Sequence, residues 1–147
     1  MITFAVNQQT GKKIAARQWR AWIQKIDRGL GGKRGEISIA VVGLADMRRL
    51  NLAYRGKNKA TDVLSFAEKE ARSSPVPWSK NYWGEIIICY PQAQKQAKQN
   101  RQSLNAELEW LLVHGTLHLL GYDHKQKKPA SRMRQLEERI LGRPVRL

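Results

Sequence analysis

Cysteine is nearly absent from this chain of 147 residues, where Cys89 stands alone. No internal disulfide can form, and a zinc site made of four thiolates is excluded. A lone thiol fits a reducing compartment. No apolar run approaches the ~20 residues that cross a bilayer. Met1 to Thr10 holds a short apolar stretch with no leading positive charge and reads poorly as a secretory signal. These absences place the protein in the cytoplasm. Acidic side chains are also scarce: 12 Asp and Glu stand against 27 Lys and Arg, a net charge of +15. That balance favours a polyanionic partner, with nucleic acid first. A solvated basic surface and a membrane surface are the competing readings. The cations are scattered from Lys12 to Lys128, which indicates a folded basic face and not a disordered arm.

Apolar residues make up 41 % of the chain, enough for one soluble core, and the length suits a single domain over residues 1–147. Ile2 to Val6 reads as a first strand, punctuated by Thr10 and Gly11. A helix follows with Ala15, Trp19, Trp22, Ile23 and Ile26 on one stripe, and the glycines between 29 and 35 end it. Glu36 to Val42 has the pattern of a buried strand. Ala45 to Arg55 predicts a helix with Met47, Leu50 and Tyr54 inward and Gly56 at its end. Thr61 to Phe66 reads as a strand, Glu68 to Tyr82 as a long polar loop, and Gly84 to Tyr90 as a strong strand. Pro91 opens a further helix. Glu107 to Leu120 is apolar nearly all round, as a central buried helix should be. Pro129 to Leu141 is the last helix, with Met133, Leu136, Glu137, Ile140 and Leu141 at helical spacing. The order β-α-β-α-β-β-α-α-α predicts an α+β fold: a small mixed four-stranded sheet flanked by helices, one of them central and histidine-bearing.

Histidine is scarcer than acid, yet all three residues fall within eleven positions: His114, His118 and His124. His114 and His118, four apart on a helix, share one face about 6 Å apart along the axis. Gly121 lets the chain turn, so His124 can return to the same ion. Three neutral imidazoles suit zinc, and also iron, nickel or copper. Three protein ligands leave a coordination position open, the mark of a catalytic zinc site, where a bound water is acidified towards pKa ~7. The spacing is near that of the metzincin peptidases, but those need glutamate after the first histidine as base. Gly115 stands there, so the peptidase reading loses its proton acceptor.

The run His114-Gly-Thr-Leu-His118-Leu-Leu-Gly-Tyr-Asp-His124 resembles the H-G-x-L-H-L-x-G-Y-D-H signature of the YbeY family. These are bacterial metal-dependent endoribonucleases acting in ribosomal RNA maturation. Two further blocks agree, in order and spacing. Leu50-Asn51-x-x-Tyr54-Arg55-Gly56 followed by Thr61-Asp62-Val63-Leu64-Ser65-Phe66 is similar to the family's L-N-x-x-Y-R-…-T-D-V-L-S-F segment, and Gly84-Glu85-Ile86 to its G-D-I. The resemblance implies that His114, His118 and His124 bind one Zn2+, that Arg55 is a functional arginine of the cleft, and that the substrate is RNA. It also implies ribosomal RNA, and the ribosome or its small subunit, as partners. The chain departs from the pattern at Asn58 (commonly aspartate), Ala60 (commonly proline) and Glu85 (commonly aspartate).

On this reading Arg55 pairs with a phosphate oxygen during phosphodiester cleavage of single-stranded RNA. Its alternative role is to satisfy the carbonyls ending its own helix. Asp123, Asp62 and Glu85 are either partners behind the ligands or turn and strand-end residues. Tyr122 either donates a proton or packs. Trp78, Tyr82 and Trp83 either stack on bases or close over the core. Two other functions stay open: an RNA- or ribosome-binding assembly factor with a structural metal, and a metallohydrolase of a non-RNA substrate.

Overall fold

The computed structural model describes residues 1–68, 80–122 and 127–145, with side chains described from 131 onward in the last stretch. The elements are β1 (Ile2–Gln8), α1 (Ala16–Gly29), β2 (Gly35–Val42), α2 (Leu44–Arg55), β3 (Val63–Ala67), β4 (Tyr82–Cys89), α3 (Tyr90–Gln99), α4 (Leu104–Leu119) and α5 (Lys127–Leu141). The order matches the sequence reading. The strands form one four-stranded sheet in the order β1-β2-β4-β3. β1, β2 and β4 run parallel, and β3 pairs antiparallel with β4 at the edge. The fold is α+β with a mixed sheet.

The strand period of two divides the sheet's residues between two layers. On the first face Ile37, Ile39, Val41, Ile86 and Ile88 pack against the Trp19, Trp22, Ile23 and Ile26 stripe of α1 and against α4. On the second face Ala40, Val42, Leu64, Phe66 and Ile87 pack against Met47 and Leu50 of α2. Helix α4 is the centre of the larger layer: Leu108, Leu111, Leu112 and Leu117 have no exposed surface. Ser103 caps it, its hydroxyl accepting from the Ala106 N–H at 3.0 Å. That cap is why α4 begins at Leu104, three residues before the apolar run suggested.

Other boundaries moved for similar local reasons. β3 begins at Val63 and not Thr61, because the Asp62 carboxylate takes the Val63 N–H at 2.8 Å and bends the chain there. Tyr82, assigned from sequence to the loop, opens β4. Most of that loop, 69–79, lies outside the described residues, as does Trp78. Tyr54, expected inward on α2, is 48 % exposed, and Asn51 is buried in its place. Asn51 can be buried because its amide donates to the Lys59 carbonyl at 2.9 Å. Tyr54 sits in the last turn of α2, and its ring only meets the Phe66 ring edge-on, with centroids 5.2 Å apart. Gly56 ends α2 in the left-handed region at φ 71°, the conformation glycine adopts without steric cost.

Candidate metal centre

Helix α4 presents His114 and His118 one turn apart, and their Nε2 atoms meet at 3.1 Å. Two ligands on a tetrahedral zinc, each ~2.0–2.1 Å from the ion, stand roughly 3.3 Å apart. The pair is therefore spaced to share one cation. The other nitrogen of His114 is committed: Nδ1 lies 2.8 Å from Glu137 Oε1. The second oxygen of Glu137 accepts from the Trp110 indole N–H at 2.6 Å. With both oxygens of a carboxylate accepting, His114 carries its proton on Nδ1, and its Nε2 lone pair faces His118. Metal-binding histidines commonly have such a carboxylate behind them. The residues present fit a divalent cation. Among the described residues no group of three ligating side chains is assembled. The third expected ligand, His124, and its neighbour Asp123 lie outside the described residues.

Glu137 is the residue the sequence reading passed over. It lies at helical spacing with the apolar stripe of the last helix, where Met133, Ile140 and Leu141 are buried. A carboxylate on that stripe was the available signal, because a buried acid needs partners. Only 4 % of Glu137 is exposed, and Trp110 and His114 are its partners. Changing Glu137 to glutamine or alanine is expected to weaken zinc affinity by about 10–100-fold, as read by competition with a coloured chelator. Unchanged affinity in both variants would detach Glu137 from the centre.

Gly115 has a steric explanation. A Cβ there would lie 2.8 Å from Ile86 Cγ2 and 3.2 Å from Ser65 Oγ, inside the tight seam between α4 and the sheet. A glutamate, the metzincin base, has no room at this position. Gly115→Ala is expected to lower the unfolding free energy by about 1 kcal/mol in urea titration, the middle of the overpacking range less the helix-propensity gain. Overpacking of roughly 1–3 kcal/mol outweighs the ~1 kcal/mol that alanine contributes as a better helix former. Equal or greater stability in the alanine variant would refute the seam as the reason for glycine.

The same seam links the histidine helix to Arg55. The Ser65 hydroxyl donates to the Gly115 carbonyl at 3.1 Å, and the Ser65 carbonyl accepts from Arg55 Nη2 at 2.9 Å. Ser65 is thus a strand residue tying β3 to α4. Arg55 reaches from α2 to β3, the outer strand of the sheet, with its guanidinium 4.7 Å from the centre of the Phe66 ring. Its Nη1 donates to the Tyr54 carbonyl at 3.3 Å, so part of the helix-ending role is also present.

The remaining candidates fall elsewhere. Asp62 is a turn residue that also accepts from the Gln96 amide at 3.2 Å. Glu85 pairs across the ladder with Phe66 and shares its sheet face, the one covered by α2. Tyr82 is buried, its hydroxyl donating to Ser38 Oγ at 3.0 Å, and burial pushes its pKa up. Trp83 and Tyr122 pack against the main core. Tyr82 and Trp83 therefore close over the interior. Cys89 is fully buried, and burial raises its thiol pKa, so it is a core residue and no ligand. No helix among the described residues is long and apolar enough to cross a membrane.

The solution structure of TM1509 from Thermotoga maritima superposes with a TM-score of 0.60 over 97 % of this chain and 90 % of that one, at 22 % identity. That likeness establishes the fold. A curated relative from Desulforamulus reducens, described as Endoribonuclease YbeY, is 45 % identical over 109 residues, covering 74 % of this chain and 71 % of its own. One of the same description from Stenotrophomonas maltophilia strain K279a is 38 % identical over 128 residues, 87 % of this chain and 79 % of its own. One from Syntrophomonas wolfei is 41 % identical over 110 residues, 72 % of this chain and 70 % of its own. Residues 4–144 match the family model described as Endoribonuclease YbeY, and the chain belongs to that family.

Proposed function

We propose that this protein cleaves single-stranded RNA in ribosomal RNA maturation, in the cytoplasm, with the ribosome or its small subunit as partner. The observation that carries the reading is the convergence of the His114 and His118 Nε2 atoms at 3.1 Å, with Glu137 holding the other nitrogen of His114. His114, His118 and His124 hold one divalent cation, with zinc the first choice for a three-imidazole set. Such a cation, when bound, supplies Lewis acidity and a water acidified towards neutrality.

The chain's own residues do the rest. Glu137 and Trp110 orient His114. Arg55, supported by the Ser65 carbonyl and the Phe66 ring, turns its fork to a non-bridging phosphate oxygen and stabilises the charge that builds on phosphorus. The attacking group is water or the ribose 2′-hydroxyl. Glu137 is not the proton acceptor, because both its oxygens are engaged by Trp110 and His114. The net charge of +15 concentrates polyanions at the surface.

The test compares cleavage of a single-stranded RNA, the same sequence as a duplex, and a single-stranded DNA by metal-loaded protein. Selective cleavage of single-stranded RNA is expected. Equal cleavage of the DNA would exclude 2′-hydroxyl attack. No cleavage of any RNA by fully loaded protein, alone or with ribosomal subunits, would overturn the reading.

A further inference from the structure

Among the described residues, the large apolar side chains left exposed are Met1 and three from one helix: Leu44, Leu52 and Tyr54 of α2, each about half exposed. The inner face of α2 is satisfied by Met47, Leu50 and Asn51, and Leu44, Leu52 and Tyr54 lie outside it, Tyr54 meeting only the Phe66 ring edge-on among the described residues. Arg48 and Arg49 are exposed among them, and Arg55, Lys57 and Lys59 follow. Residues 44–59 hold five basic side chains and one acid, Asp46. Leu44, Arg48, Leu52 and Arg55 succeed one another at spacings of three and four, a single line along the helix about 16 Å long. That line ends at Arg55, which the Ser65 and Gly115 bonds tie to the histidine helix.

Asn58 adds a detail. Its Oδ1 accepts from Arg48 Nε at 2.8 Å. An aspartate there, as the resembling family commonly has, would pair with Arg48 and cancel its charge. The asparagine orients the guanidinium and leaves the charge intact. The neighbouring Arg49 is different, since Asp46 neutralises it at 2.8 Å.

We propose that the outer face of α2 is a docking track for the single-stranded RNA that flanks the cleaved phosphate, with Arg48 on a backbone phosphate and Tyr54 stacked on a base. Charge complementarity selects this occupant: the face combines Arg48, Lys57 and Lys59, which no acid neutralises among the described residues, with an exposed ring, as sequence-tolerant single-strand binding requires. Leu44 and Leu52 give the bases apolar ground between the cations. The track rests on the endoribonuclease reading and extends it to where the strand lies.

The test uses a non-cleavable 2′-O-methyl single-stranded 16-mer, with affinity read by fluorescence anisotropy over a salt series. Arg48→Ala is expected to flatten the slope of log affinity against log salt by about 0.7, one phosphate contact on a single strand. Asn58→Asp should act in the same direction without removing an arginine; it lies in an exposed loop, so folding is not at stake. Tyr54→Ala should weaken binding by about 5–150-fold at every salt with the slope unchanged, and Tyr54→Phe should restore it. Slopes and affinities equal to those of the unchanged chain would overturn the track, whatever protein partner the face then serves. Cleavage of ordinary RNA by the unchanged chain is followed in parallel. Altered binding with no cleavage keeps the track and rejects the endoribonuclease reading. Normal cleavage with unaltered binding does the reverse.

Discussion

An Arg55→Ala variant is expected to lose RNA cleavage by on the order of 10²–10³-fold while keeping its fold and its metal, because on the proposed mechanism it removes a donor to the charge that develops on phosphate. The fold should survive because Arg55 is exposed, and the loss of its contact over Phe66 costs about 0.5–1 kcal/mol. Metal content should survive because Arg55 bonds the Ser65 and Tyr54 carbonyls and lies on a different helix from the histidines. Arg55→Lys sharpens the test. Lysine keeps the charge but not the planar fork, so a small fraction of activity should return. The alternative role is structural: Arg55 does satisfy one carbonyl at the end of its own helix. A variant that cleaves RNA at the normal rate would leave only that role.

His118→Ala is expected to reduce bound metal from one equivalent to a small fraction, with cleavage lost in proportion. His118 is half-buried at the end of α4, and its Nε2 faces that of His114 at 3.1 Å. In the proposed three-imidazole set, losing one leaves two, too few for a tight site on a borderline-soft ion. The stability cost without metal should be modest, because the apolar contacts of α4 are carried by Leu108, Leu111, Leu112 and Leu117. Elemental analysis after purification without chelators reads the outcome. Retained stoichiometric metal would remove His118 from the ligand set.

Most of the architecture was legible because its signals are local. Trp19, Trp22, Ile23 and Ile26 recur at helical spacing, and they are the buried face of α1. Ile37, Ile39 and Val41 alternate, and they are one face of β2. The histidine pair was legible for the same reason, since four residues is one helical turn. What failed to show was what depends on a partner distant in sequence. Glu137 lies 23 residues from His114 and acts through Trp110 as well, and no helical period reports that. Tyr54 fitted the inward stripe of α2, but Asn51 took the buried place by bonding the Lys59 carbonyl. Gly115 read as a missing base; only its 2.8 Å approach to Ile86 shows why glycine is required there. Arg55 is singled out in the sequence only by family resemblance, because its tie to the histidine helix runs through Ser65, ten residues away and on another element.

The most direct measurement is the rate of single-stranded RNA cleavage as stripped protein is titrated with zinc. The account predicts no cleavage at zero occupancy, a linear rise with bound metal, and a plateau at one ion per chain. Full activity in stripped protein, or none at full occupancy with its partners supplied, would contradict it.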